Sequence, residues 1–290
     1  MSKVHTRDGT KLYCKDWGQG RPVILIHGWP LSSDSWDDIA KPIADAGMRA
    51  IFYDRRGFGR SDQPFGGYDY DTFADDLADV MKEKGVTENA ALVGFSMGGG
   101  EIARYMSKYR GAGVTQTVLI SSVVPYMLKT GDNPEGVPQA TFDEMTAGMT
   151  KDRAHFFKGF MKDFYGIGML TGKASQEQAD ASWNVAMTAS LQATLKSAAA
   201  FATTDFRPDL SSITVPTLIV HGTADKTVPI DTAGRAAAAA IPGSRLIEYD
   251  GSPHGVFATD KDKLIADLLD FLGQETSAFS FSGTGAQATY

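Results

Sequence analysis

Cysteine is almost missing from this 290-residue chain: Cys14 is the only one, so no internal disulfide and no thiolate metal cluster can form. It stands in the strand-like run Leu12-Tyr13-Cys14-Lys15, far in sequence from every histidine, and reads as a packing residue rather than a nucleophile. Histidine is scarce too. Five are present, none four residues from another, which removes the helical pair that a zinc site would use, and no metal or other cofactor is expected. Basic runs are lacking: 28 Lys and Arg against 35 Asp and Glu leave a net charge of -7, and no cationic stretch carries interleaved aromatics. That composition argues against a nucleic-acid partner and for a small molecule. No segment supplies the roughly 20 apolar residues of a membrane span, and Met1 to Thr6 lack the apolar core of a secretory signal. A soluble cytoplasmic protein with no membrane partner is the expectation.

What the chain has is alternation. Short apolar runs recur at Val23-Ile24-Leu25-Ile26, Ala50-Ile51-Phe52-Tyr53, Ala90-Ala91-Leu92-Val93, Thr117-Val118-Leu119-Ile120 and Thr217-Leu218-Ile219-Val220, with helix-like stretches between most of them. This predicts an α/β fold with a mostly parallel central sheet flanked by helices. One connecting helix is expected over Asp71 to Lys84, where Phe73, Leu77, Val80 and Met81 share a face and Gly85 supplies the stop; another runs from Lys261 to Leu272. Between Val123 and Pro208 the alternation gives way to helices rich in Met and Phe, after a turn-rich lead-in at Gly131 to Gly136. The expected organisation is a core of residues 1–122 and 209–275, a helical cap inserted at 123–208, and an accessory tail at 276–290 without periodic pattern. More Met and Phe stand in the cap than one helix face needs, so some are expected to line a pocket. Phe160 and Phe164, one turn apart, lead that set, which also takes in Met127.

The chemistry centres on Gly94-Phe95-Ser96-Met97-Gly98, placed between a strand-like run and a helix-like one. A serine on such a turn takes unusual backbone angles, and glycines two before and two after it keep the flanking chain from colliding. A phosphate loop is excluded because Gly100 and Glu101 occupy the places its Lys and Ser/Thr require, and Ser96 breaks a dinucleotide fingerprint. A serine hydroxyl needs a base and a carboxylate to orient that base. His254, in Ser252-Pro253-His254-Gly255 just after the strand-like Arg245 to Tyr249, is the expected base; His5, His27, His155 and His221 are set aside. Asp225 is the expected acid, with Asp231 and Asp250 as competitors; Asp231 reads as a helix N-cap. Two backbone N–H groups must receive the charge that develops on a carbonyl oxygen. Met97, at a helix N-terminus, and Trp29, in the loop after the first long strand, are placed to supply them.

These residues resemble the α/β-hydrolase superfamily, and within it the cofactor-free bacterial haloperoxidase and aryl esterase family, which includes γ-lactamases. The likeness is carried by His27-Gly28-Trp29-Pro30, Tyr53-Asp54-Arg55-Arg56-Gly57-Phe58-Gly59-Arg60-Ser61, Tyr68 to Phe73, Gly94 to Gly99, and Ser252 to Gly255. The resemblance implies a Ser96–His254–Asp225 triad, oxyanion donors at Trp29 and Met97, and Phe160, Phe164 and Val228 near the acyl pocket. It also implies hydrolysis of short-chain or aryl esters, with hydrogen peroxide able to replace water and give peracids that oxidise halide without metal or haem. A main activity on lactams or amides, and a silent ligand-binding protein on the same scaffold, are the alternatives. Relatives assemble in several ways, so a homo-oligomer stays open. The Arg55–Arg56 pair is expected to bridge loops rather than bind an anion.

Overall fold

The computed structural model describes residues 2–168 and 174–274. The expected tail at 276–290 lies outside these residues. Eight strands form one sheet: β1 (Ser2–His5), β2 (Lys11–Trp17), β3 (Pro22–Ile26), β4 (Arg49–Tyr53), β5 (Ala90–Phe95), β6 (Val114–Ile120), β7 (Thr217–Gly222) and β8 (Arg245–Tyr249). Their spatial order is β1-β2-β4-β3-β5-β6-β7-β8, antiparallel at β1–β2–β4 and parallel from β4 to β8. The inner strands β3, β5 and β7 are buried along nearly their whole length, which explains why they read as continuous apolar runs: helices cover both faces of a parallel sheet.

Connecting helices are α1 (Asp37–Asp45), α2 (Tyr70–Glu83) and α3 (Met97–Lys108). The α2 helix buries Phe73, Leu77, Val80 and Met81 as its spacing predicts, and Asp69 caps it by accepting from the Thr72 amide at 2.9 Å. Gly85 ends it at φ +67°, a left-handed angle that favours glycine. Helix α3 starts at Met97, two residues before the expected Gly99, because its glycines serve close packing rather than a turn. Strand β1 was not visible in the sequence: Ser2-Lys3-Val4-His5 has a single apolar residue, and pairing with β2 supplies what its composition does not. Cys14 is buried in β2, and that burial pushes its thiol up to about 12, in keeping with a packing role.

Between β6 and β7 stand α4 (Gln139–Tyr165), α5 (Gln176–Thr188) and α6 (Leu191–Thr203). Helix α4 is broken at Asp152, whose backbone is extended (φ -158°, ψ 90°) and whose carboxylate accepts from the His155 amide at 2.9 Å, recapping the second half. After β7 come α7 (Ala236–Ala240), α8 (Val256–Thr259) and α9 (Lys261–Leu272), the last at the bounds its spacing predicts. Since the strands from β4 to β8 run the same way, the loops after β3, β5, β7 and β8 all leave at one edge of the sheet.

Candidate active site

Ser96 occupies the tip of the β5–α3 turn at φ 53°, ψ -117°, a conformation that costs a non-glycine residue about 1–3 kcal/mol. The neighbourhood holds it there. The Ser96 amide donates to the Ile120 carbonyl at 2.8 Å, and the Ser96 carbonyl accepts from the Gly99 and Val123 amides at 3.0 and 3.3 Å. A Cβ on Gly94 would lie 2.6 Å from the Gly98 carbonyl carbon, so the turn closes only with glycine at its base. A Cβ on Gly28 would stand 2.6 Å from the Phe95 ring and 3.0 Å from the Ser96 Cβ, which brings the loop after β3 directly against the serine.

Three of the expected residues meet. His254 Nε2 is 3.0 Å from Ser96 Oγ, and His254 Nδ1 is 2.6 Å from Asp225 Oδ2. The other carboxylate oxygen, Oδ1, accepts from the Thr227 and Val228 amides at 2.9 and 2.8 Å. Burial alone would raise the Asp225 carboxyl; the charge of His254 and hydrogen bonds from His221 and His254 overcome it and hold the group at about 2. The carboxylate is therefore ionised at neutral pH. The His254 ring is wedged between Phe95 and Phe164, with centroids 5.0 and 4.9 Å away, and the Gly255 amide donates to the Phe164 carbonyl at 2.8 Å. The end of α4 thus fixes the loop that carries the imidazole.

The competitors go elsewhere. Asp231 pairs with Arg235 at 2.6 Å and begins the helical turn Asp231–Arg235 instead of capping it, since Ile230 holds the cap position; Asp250 accepts from the Thr223 hydroxyl at 3.3 Å. His5 and His155 are exposed. His27 is buried with Nδ1 on the Gly28 carbonyl (2.9 Å) and Nε2 accepting from the Arg55 amide (3.0 Å). Burial, aided by the Arg55 charge, puts its pKa well below the ordinary histidine range, so it stays neutral.

Beside Ser96 lies a cavity of about 70 Å³, walled by Trp29, Phe142, Phe160, Phe201 and Val228, with Lys226 contributing the only charged side chain of its lining among the described residues. Phe160 and Val228 are thus among its walls. Phe164 sits behind the cavity, against the imidazole. Met127 is a correction: it is buried outside the lining, its carbonyl accepting from the Val137 amide at 2.7 Å in the turn-rich lead-in, a register that backbone pairing sets and helical spacing cannot reveal. Phe142, which the sequence does not single out, stands near the start of α4, a helix whose bounds the sequence leaves open.

A model of the alpha/beta hydrolase fold matches residues 21–261. The chain belongs to the alpha/beta hydrolase family. Within it, a non-heme chloroperoxidase of Kitasatospora aureofaciens is 44% identical over 271 residues, covering 93% of this chain and 98% of that one. A bifunctional esterase/perhydrolase of Acinetobacter calcoaceticus is 40% identical over 275 residues, covering 94% and 99%. Among solved structures, a bromoperoxidase from Bacillus anthracis superposes with a TM-score of 0.90 at 42% identity, covering 94% of this chain and all of that one.

Two further arrangements brace the candidate site. Arg55 and Glu101 form a fully buried ion pair at 2.8 Å; Tyr53 donates its hydroxyl to the same carboxylate, and Arg55 Nη2 donates to the His27 carbonyl at 2.9 Å. Arg56 joins Asp76 and Asp8 at 2.6 and 2.7 Å. Both arginines therefore bridge segments, tying the loop after β4 to α3, α2 and the β1–β2 turn, with the buried carboxylates of Glu101 and Asp76 among their counter-ions. The Trp29 side chain turns the other way. Its indole packs edge-on against Phe157, Phe160 and Phe201 at 5.3, 5.3 and 5.6 Å, and Nε1 donates to the Thr194 carbonyl of α6 at 3.0 Å.

Proposed function

We propose that this chain is a serine hydrolase that cleaves short-chain or aryl carboxylic esters through an acyl-Ser96 intermediate, and that it also passes the acyl group to hydrogen peroxide. The observation that carries the reading is the continuous Ser96–His254–Asp225 hydrogen-bond line, at 3.0 and 2.6 Å, on a strained turn at the sheet edge. The 40% identical relative named an esterase/perhydrolase supports water and hydrogen peroxide as the two acyl acceptors. Asp225 holds the proton of His254 on Nδ1 and leaves Nε2 bare to accept from Ser96. Ser96 Oγ then attacks the carbonyl carbon while His254 takes its proton. Collapse of the tetrahedral anion breaks the bond to the leaving alkoxide or aryloxide, which receives that proton. Water or hydrogen peroxide next loses a proton to His254 and attacks the acyl carbon; Ser96 leaves and is reprotonated, releasing acid or peracid. The peroxide O–O bond survives, so the enzyme itself exchanges no electrons; the released peracid is the oxidant for halide.

The amides of Trp29 and Met97 are assigned as donors to the anion. The Met97 N–H opens α3, where the helix offers no acceptor, and the helix dipole favours negative charge there. The close approach of Gly28 to Ser96 supports the neighbouring Trp29 amide as the second donor. Residues 123–208 act as a cap over a core of 1–122 and 209–275, and the small apolar cavity beneath α4 and α6 selects short acyl groups.

The test is p-nitrophenyl acetate hydrolysis by wild type and by folded Ser96→Ala, with and without hydrogen peroxide and a chelator. Loss of activity on the order of 10⁵- to 10⁶-fold in the variant is expected, together with chelator-resistant peracid formation by wild type. A variant as active as wild type would overturn the reading. Parallel rates on a γ-lactam decide whether an amide bond is the better substrate.

A further inference from the structure

We infer that His221, at the end of β7, is a positioning residue for this site: it fixes the Asp225 carboxylate and the Val228 wall of the cavity with one ring nitrogen. The inference rests on the serine-hydrolase reading above. His221 is fully buried, and its Nε2 lies 2.8 Å from the Val228 carbonyl and 3.3 Å from Asp225 Oδ2. A carbonyl oxygen can only accept, so Nε2 carries the proton and donates to both oxygens. The same Asp225 oxygen takes His254 Nδ1, and the other takes two backbone amides. His221 is the one side-chain donor, apart from His254 itself, that the described hydrogen bonds and ion pairs bring to this carboxylate.

The opposite nitrogen strengthens the argument. Nδ1 of His221 is buried and has no hydrogen-bond partner among the described residues. It faces Gly234, where a Cβ would come within 2.8 Å of it, so the ring is admitted only because that position has no side chain. A phenyl ring would fill the same space without burying an unpaired nitrogen, which costs about 1–3 kcal/mol. The imidazole makes physical sense there through what Nε2 does. Of the charged groups nearby, Glu248, its register partner on β8, is engaged by Arg235, which also binds Asp231, and Lys226 lines the cavity.

Withdrawing this donor makes Asp225 more basic, strengthens its pull on the Nδ1 proton of His254 and favours the imidazolium. The acid limb of the pH–rate profile then moves to higher pH, and looser positioning lowers kcat. The decisive comparison is His221→Asn against His221→Gln. Glutamine can place an N–H near the Nε2 position; asparagine is too short. His221→Asn is expected to lose about tenfold in kcat per titrated active site, with KM within about twofold and an upward-shifted acid limb, while His221→Gln keeps both kcat and limb near wild type. Equal kcat and superposable profiles for the two variants would overturn the inference. Should the asparagine variant not fold, His221→Phe, a ring without a donor, is read against glutamine by the same criteria. Nitrogen-resolved imidazole NMR of the wild type supplies a readout independent of turnover: a proton on His221 Nε2 is expected, and a proton on Nδ1 refutes the assignment. Wild type without Ser96-dependent ester turnover would sink the functional reading, whereas an active wild type with indistinguishable variants would sink only the role of His221.

Discussion

The sheet edge and the helical stretch between β6 and β7 reach the same few atoms by different forces. At the edge, Ser96, Asp225 and His254 are placed by directed polar contacts: an amide on Ile120, two amides on a carboxylate, and an ion pair behind His27. In the helices, Phe157, Phe160, Phe164 and Phe201 press apolar rings on Trp29 and His254. Hydrogen bonds have narrow geometry and suit groups that must sit within tenths of an ångström; apolar packing is non-directional and tolerates a change of shape. In the proposed mechanism, reaction type therefore belongs to the edge, and choice of acyl group to the helices.

Asp225→Asn, beyond the Ser96 substitution, should cut most deeply, by about 10⁴-fold in kcat with little change in KM, measured on an aryl acetate. Its pH signature has a definite sign. The Asp225 carboxyl is depressed to about 2, so it contributes stability above the ordinary carboxyl range, near 3.9, that is lost as pH falls through the native value. Denaturant unfolding should show wild type more stable than Asp225→Asn by about 2 kcal/mol at neutral pH, the gap closing between about pH 4 and pH 2. A gap constant over that window would break the account.

Glu101→Gln tests the scaffold behind the edge. It leaves the Arg55 charge buried without its counter-ion and should cost about 3–5 kcal/mol in stability, while activity below the melting transition stays within about tenfold of wild type. Phe160→Ala sharpens the comparison from the helical side and has the smallest effect. The side chain is only partly buried, so stability should change little, but the cavity lengthens, and kcat/KM for a butyrate over an acetate ester should rise about tenfold. An unchanged chain-length ratio would deny the helices their part in selection.

Ser96, His254 and Asp225 were legible because each follows an apolar run by a few residues, and a parallel sheet gathers such loops at one edge. His221 was not. A histidine before a glycine at a strand end has no outward mark, and only the fold shows that the residue four places on turns its carboxylate back toward the ring. Met127 is drawn toward the cavity by composition alone, and its backbone pairing with Val137 holds it outside the lining; Phe164, which spacing and the resemblance both put near the pocket, packs on the His254 ring instead, a contact that helical spacing cannot reveal. Strand β1 escaped because its pairing, not its residues, makes it a strand.

Trp29 belongs to both regions at once: its peptide N–H faces the reacting carbonyl in the proposed mechanism, while its indole is clamped by α4 and α6. Substrate range and turnover in this enzyme are consequently not separable traits. A replacement in the helices that widens the cavity also nudges this proposed oxyanion donor, so variants selected for bulkier esters should carry a rate penalty that compensating changes near Trp29, rather than near Ser96, are best placed to relieve.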